Sequence, residues 1–98
     1  MKNKYFDQTL ERVCDYWGVT QDDLFSRKKA IPIPSARHSL FYLLHRQGFG
    51  IPMIATLAKT RMGRPTANAR IKYGIEKGYL LSENKIHEEL FAPPVEAG

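Results

Sequence analysis

A chain of 98 residues with a net charge of +5 is long enough to bury roughly two-thirds of its unfolded surface as one domain without metal or disulfide staples. A single cysteine excludes an internal disulfide, and no stretch approaches the ~18 continuous apolar residues of a membrane span. The N-terminal MKNKYFDQ has no apolar signal-peptide core, so a cytoplasmic, reducing setting is expected.

The charge is sharply polarised. Between Asp23 and Glu76 there is no acidic residue, while Arg27, Lys28, Lys29, Arg37, Arg46, Lys59, Arg61, Arg64, Arg70 and Lys72 give that stretch +10. Residues 1–23 and 73–98 carry −2 and −3. Such a field repels itself unless a polyanion is the partner, and nucleic acid is the commonest one. The plainer alternative is a solvated basic face.

Phe6, Leu10, Val13, Cys14 and Trp17 recur at helical spacing and predict a first helix over residues 5–17, stopped by Gly18. Within that stripe Cys14 reads as a small core hydrophobe rather than a reactive thiol. Thr20 with Asp23 three residues on predicts a capped second helix, with Val19 stapled onto Leu24. Asp22 and Asp23 then read as capping carboxylates, not a metal or catalytic pair. Pro32 and Pro34 predict an extended basic connector over residues 26–34.

Ser35 is expected to cap a third helix with Ala36, Leu40, Leu43 and Leu44 inside, Phe41 beside them, and an end near Gln47-Gly48. Arg37, His38, Tyr42, His45 and Arg46 fall off that stripe and are expected to be wet. Ile51-Pro52 opens a fourth helix, with Ile51, Ile54, Ala55, Leu57 and Ala58 buried and a break over Lys59–Gly63. Arg64-Pro65-Thr66 then starts a fifth, running to about Lys77 with Gly78 as its left-handed stop. Asn68, Ile71 and Ile75 form its expected inner face. Arg64, Thr66, Ala67 and Arg70 point to solvent.

The fold expectation is therefore all-α, a bundle of five to six helices. Residues 1–82 form one helical domain with a helix-turn-helix over 51–78, and 83–98 form an acidic tail with a short helix near His87–Phe91 and a frayed end. A rival reading makes Tyr79–Leu81 and Ile86–Phe91 the strands of a winged helix, but Glu83, Glu88 and Glu89 would then aim acid at DNA.

Two helices joined by a short turn, the second with basic and small polar side chains at its start, is the layout of a DNA-reading helix-turn-helix. A major groove admits one such helix. Arg64 or Arg70 can fork onto a guanine, Thr66 can donate or accept, and Ala67 can touch a thymine methyl. Lys59, Arg61 and Lys72 would add backbone contacts. Many helical domains hold the same turn with no DNA function, and Thr66 serves equally as a cap.

From Val13 to Glu76, about two-thirds of the chain, the sequence resembles the C-terminal DNA-binding domain of the bacterial replication initiator DnaA, within the Trp-repressor-like helical group. Asp15 to Lys29 resembles that family's tyrosine-containing helix end, its capped "dl" turn and its serine followed by a basic run. Ser35-Ala36-Arg37-His38-Ser39-Leu40-Phe41-Tyr42-Leu43-Leu44 resembles its "a-R-q/h-x-a-x-y-L" helix at unchanged spacing. The resemblance implies a minor-groove role for Arg37, and phosphate or minor-groove contacts for Arg27, Lys28 and Lys29.

The second half departs from the pattern. Where the family reads G-x-R-D-H-[ST]-T-V, this chain reads Arg61-Met62-Gly63-Arg64-Pro65-Thr66-Ala67-Asn68, with Pro65 in place of the base-reading histidine. No nucleotide-binding G-x-x-x-x-G-K-[ST] occurs. The expectation is a free-standing, double-stranded-DNA-binding regulator of phage or mobile-element type, reading its own site in transcription or replication.

No catalytic, metal or cofactor site is expected, because His38, His45 and His87 lack partners in C-x-x-C, H-E-x-x-H or clustered carboxylates. A protein-interaction module gripping a host protein, such as an antirepressor or anti-initiator, is the alternative from another class. A homodimer through Tyr79-Leu80-Leu81 or Leu90-Phe91 stays open beside core packing of the same residues. No membrane partner is expected.

Overall fold

The computed structural model describes residues 3–92 and, of Met62, the backbone alone. The expected frayed end at Pro93–Gly98 lies outside the described residues.

Asn3 opens helix α1 (Lys4–Trp17), its side-chain oxygen accepting from the Tyr5 and Phe6 amides, and Gly18 closes it at φ 68° with its N–H donating to the Cys14 carbonyl. Helix α2 (Gln21–Leu24) carries the expected capping box. The Thr20 hydroxyl accepts from the Asp23 amide at 3.1 Å, and the Asp23 carboxylate accepts from the Thr20 amide at 3.3 Å.

Helix α3 (Ile33–Arg46) starts two residues before the expected cap at Ser35. Pro34 does not obstruct it, because a first-turn residue needs no N–H for the helix ladder. Ser35 lies inside the helix, its carbonyl accepting from the Ser39 hydroxyl at 2.8 Å. The break expected over Lys59–Gly63 comes only at its last residue: helix α4 (Ile51–Met62) continues through Lys59–Met62, where no residue is a helix breaker, and ends at Gly63 with φ 69°.

Helix α5 (Asn68–Ser82) departs furthest from expectation. It begins after Arg64-Pro65-Thr66-Ala67 and continues through Gly78, so Gly78 is not its stop. Gly74 and Gly78 sit one turn apart on the buried face, against α3. A Cβ on Gly74 would lie closer than 3.0 Å to the Phe41 ring, and one on Gly78 equally close to the His38 carbonyl oxygen and Tyr42 Cβ. The pair is glycine because the two helix backbones touch there.

Leu10, Leu24, Leu40, Phe41, Leu44, Ile54 and Ile71 form the centre of the core. Leu90 and Phe91 belong to the same core, so the domain does not end at residue 82. They sit on α6 (Glu88–Phe91), which follows a 3₁₀ turn (Lys85–His87). Arginines hold its carbonyl end: Arg12 donates to Glu89 O at 2.8 Å and Ala92 O at 3.1 Å, and Arg46 to Phe91 O at 2.8 Å. Cations suit that end of a helix.

The described residues thus form six α-helices and no strand, so the all-α expectation holds and Tyr79–Ser82 is helix rather than wing. Cys14 packs half-buried against the core, and burial, then Asp15, Asp23 and Glu11, push its thiol up, away from reactive thiolate.

Candidate nucleic-acid interface

Arg37 is not wet. It projects from α3 under the connector and is 8% exposed, with Nε donating to Leu24 O at 2.7 Å and Nη2 to Ser26 O at 2.8 Å and Lys28 O at 3.2 Å. The physical reason is the chain's exit from α2. Carbonyls released by a four-residue helix need donors, and a guanidinium offers several in one plane. Burial, then the charge of Arg70, pull Arg37 down from the ordinary arginine value. The expectation of a solvent-facing Arg37 is corrected to that of a buried clamp, and the two nitrogens named are already committed inside the protein.

Arg70 reaches the same Ser26 carbonyl from α5, so one connector oxygen joins α3 to α5. Above it lies an open groove of ≈ 580 Å³ lined by Phe25, Ser26, Arg27, Arg64, Pro65, Ala67 and Arg70. Four residues singled out from sequence, Arg27, Arg64, Ala67 and Arg70, therefore converge on one site. None of its walls is acidic.

The others are placed differently. Lys28 is paired with Asp23 at 2.9 Å, a contact that, ahead of the Thr20 hydrogen bonds, holds the Asp23 carboxyl below its usual range. Arg61 turns to α1 and pairs with Asp7 at 2.7 Å. Thr66 is half-buried in the turn and does not cap α5, whose cap residue is Ala67 with no side-chain bond. Lys29, Lys59 and Lys72 are exposed, and among the described residues no hydrogen bond or ion pair engages their side chains or those of Arg27 and Arg64.

Asn68 and Tyr73 are functional candidates that sequence reasoning missed. Asn68 was expected inside, but it is the first residue of α5 and exposed, as are Ala69, Lys72 and Tyr73. The buried face of α5 is set by Ile71, Gly74 and Gly78. Reading those two glycines as a close-approach pair, rather than one as a stop, would have fixed the phase. An asparagine side chain has the donor and acceptor that an adenine edge would match.

His38 is half-buried on the α3 side of Tyr73, with ring centroids 5.6 Å apart. Burial, then Arg37 and Lys77, lower its pKa, so the folded state disfavours the imidazolium. Below the ordinary histidine value the unfolded chain then binds more protons, and stability falls as pH drops through that value toward the folded one. The melting temperature is expected to decrease between pH 7.5 and 5.5, and His38→Leu to remove part of that decrease. An identical pH profile in the variant would contradict the assignment.

Among the described residues no helix is long and apolar enough to cross a membrane, and no group of three or more His, Cys, Asp or Glu side chains could hold a metal ion. No family model matches the chain, and neither the curated proteins nor the solved structures contain a match to it.

Proposed function

We propose that this protein binds double-stranded DNA through the helix-turn-helix formed by α4, residues 63–67 and α5, as a sequence-specific transcription or replication regulator of the kind carried by phages and other mobile elements. The observation that carries the reading is the acid-free arginine groove at the start of α5, flanked by the exposed first turn of that helix. Arg27, Arg64 and Arg70 surround a space suited to a sugar–phosphate strand, while Asn68, Ala69 and Lys72 face outward beside it. The resemblance of residues 13–76 to the DnaA C-terminal domain supports the same reading. Its departure at Arg64-Pro65 argues for a different site. The role is that of a cytoplasmic binding module, not a catalyst.

Selection from a randomised duplex pool is expected to enrich a motif. Changing Arg27 and Arg64 together to alanine is expected to weaken binding about 10-fold or more and to flatten the slope of log K against log salt by about 2, as the loss of two phosphate contacts should. Both side chains are exposed, so the melting temperature should barely move. Undiminished affinity in the double variant would contradict the proposal, and absence of any DNA binding would favour the protein-interaction alternative.

A further inference from the structure

Ile31 is 92% exposed, the most open of the large apolar side chains described. Single exposed aliphatics are ordinary on a protein surface. This one differs in its setting. It stands at the tip of the connector, directly after Arg27, Lys28, Lys29 and Ala30, all exposed. The tip is a hydrogen-bonded turn, the Ile33 amide donating to Ala30 O at 2.8 Å, with Ile31 and Pro32 as its central pair. Its root is clamped by Arg37 on the Ser26 and Lys28 carbonyls and by Arg70 on Ser26.

An apolar point held this firmly among cations suits a narrow polyanionic cleft better than an apolar partner surface. The arginine groove separates the connector root, Ser26 and Arg27, from the start of α5. A DNA strand seated in that groove would leave α5 on its major-groove side and the connector on its minor-groove side. We propose that Ile31 enters the minor groove as a wedge between two stacked base pairs and bends the duplex, an inference that rests on the DNA-binding reading above.

The physical logic favours this residue type. A β-branched side chain has little rotamer freedom to lose, and insertion removes its exposed apolar surface from water. Lys29 and Arg27 would neutralise nearby phosphates, and the cost of unstacking is least at TA or CA steps.

The test uses the full chain and the most enriched duplex from selection, carrying a donor and an acceptor fluorophore on its ends. Anisotropy reports binding, end-to-end energy transfer reports bending, and permanganate reactivity reports unstacked thymines. Wild type is expected to bend the duplex by at least ~20° and to expose thymine at one pyrimidine–purine step. Ile31→Ala should bind within about 10-fold of wild type yet lose both signals, while Ile31→Met keeps them. Binding by wild type without bending or thymine reactivity overturns the wedge and leaves the DNA reading standing, as does an Ile31→Ala variant that bends like wild type. No anisotropy change for wild type would overturn both.

Discussion

Gly78→Ala is expected to lower the melting temperature by about 15 °C, the equivalent of roughly 3 kcal/mol in a domain of this size. Helix propensity alone points the other way, since alanine in a helix interior is favoured over glycine by about 1 kcal/mol. Packing decides the sign. The added methyl meets a backbone oxygen, His38 O, and the Cβ of Tyr42, neither of which can swing aside. Helices α3 and α5 would have to separate and open the core around Phe41 and Ile71. Gly50→Ala controls for added bulk only, because Gly50 is the N-cap of α4 and its Cβ would meet only Pro52 Cδ at 3.7 Å. The sign of the change in the Gly78→Ala melt separates the packing account from a propensity account. A melting point for Gly78→Ala at or above wild type would contradict it.

Arg37→Ala is expected to cost about 2–4 kcal/mol, since it strips a cationic donor from buried carbonyls. Arg37→Lys should recover only part, because one ammonium cannot span the Leu24, Ser26 and Lys28 oxygens as the guanidinium does. The DNA-binding consequence separates support from contact. Loosening the connector weakens affinity, but removing a clamp that touches no phosphate leaves the salt dependence of the remaining binding as it was. On the proposed function, Arg64→Ala should instead flatten the slope of log K against log salt by about 1. Equal flattening by Arg37→Ala would mean that Arg37 reaches DNA after all.

Local rules carried much of the fold. The Thr20–Asp23 capping box, the Gly18 stop and the apolar stripe of α1 all follow from neighbours a few residues apart. What escaped depended on contacts between distant segments. Gly78 in isolation looks like a helix stop, and only the nearness of α3 makes it a packing residue. Arg37 lies off its helix stripe and reads as wet, until the connector folds across it. Leu90 and Phe91 follow an acidic run, which leaves pairing between copies and core packing equally open from sequence, and only the folded chain shows them completing the core near the Arg12 and Arg46 clamps.

The candidate site was legible in part for the same reason. Net charge is a property of composition, so the basic stretch was visible without a fold. Which cations are free was not. Lys28 and Arg61 are spent on Asp23 and Asp7, and Arg37 and Arg46 on backbone carbonyls. Within residues 24–72 that leaves Arg27, Lys29, Lys59, Arg64 and Lys72 as the exposed cations whose side chains are unengaged, with Arg70 shared between the connector and the groove.

The most direct test of the central claim is a titration of the 98-residue chain against its selected duplex by fluorescence anisotropy, repeated between about 50 and 200 mM salt. With about three to five phosphates neutralised by the free cations, log K should fall linearly with log salt at a slope of roughly −3 to −4.5. A slope near zero, or no binding at the lowest salt, would mean that the arginine groove at the start of α5 is not a nucleic-acid interface.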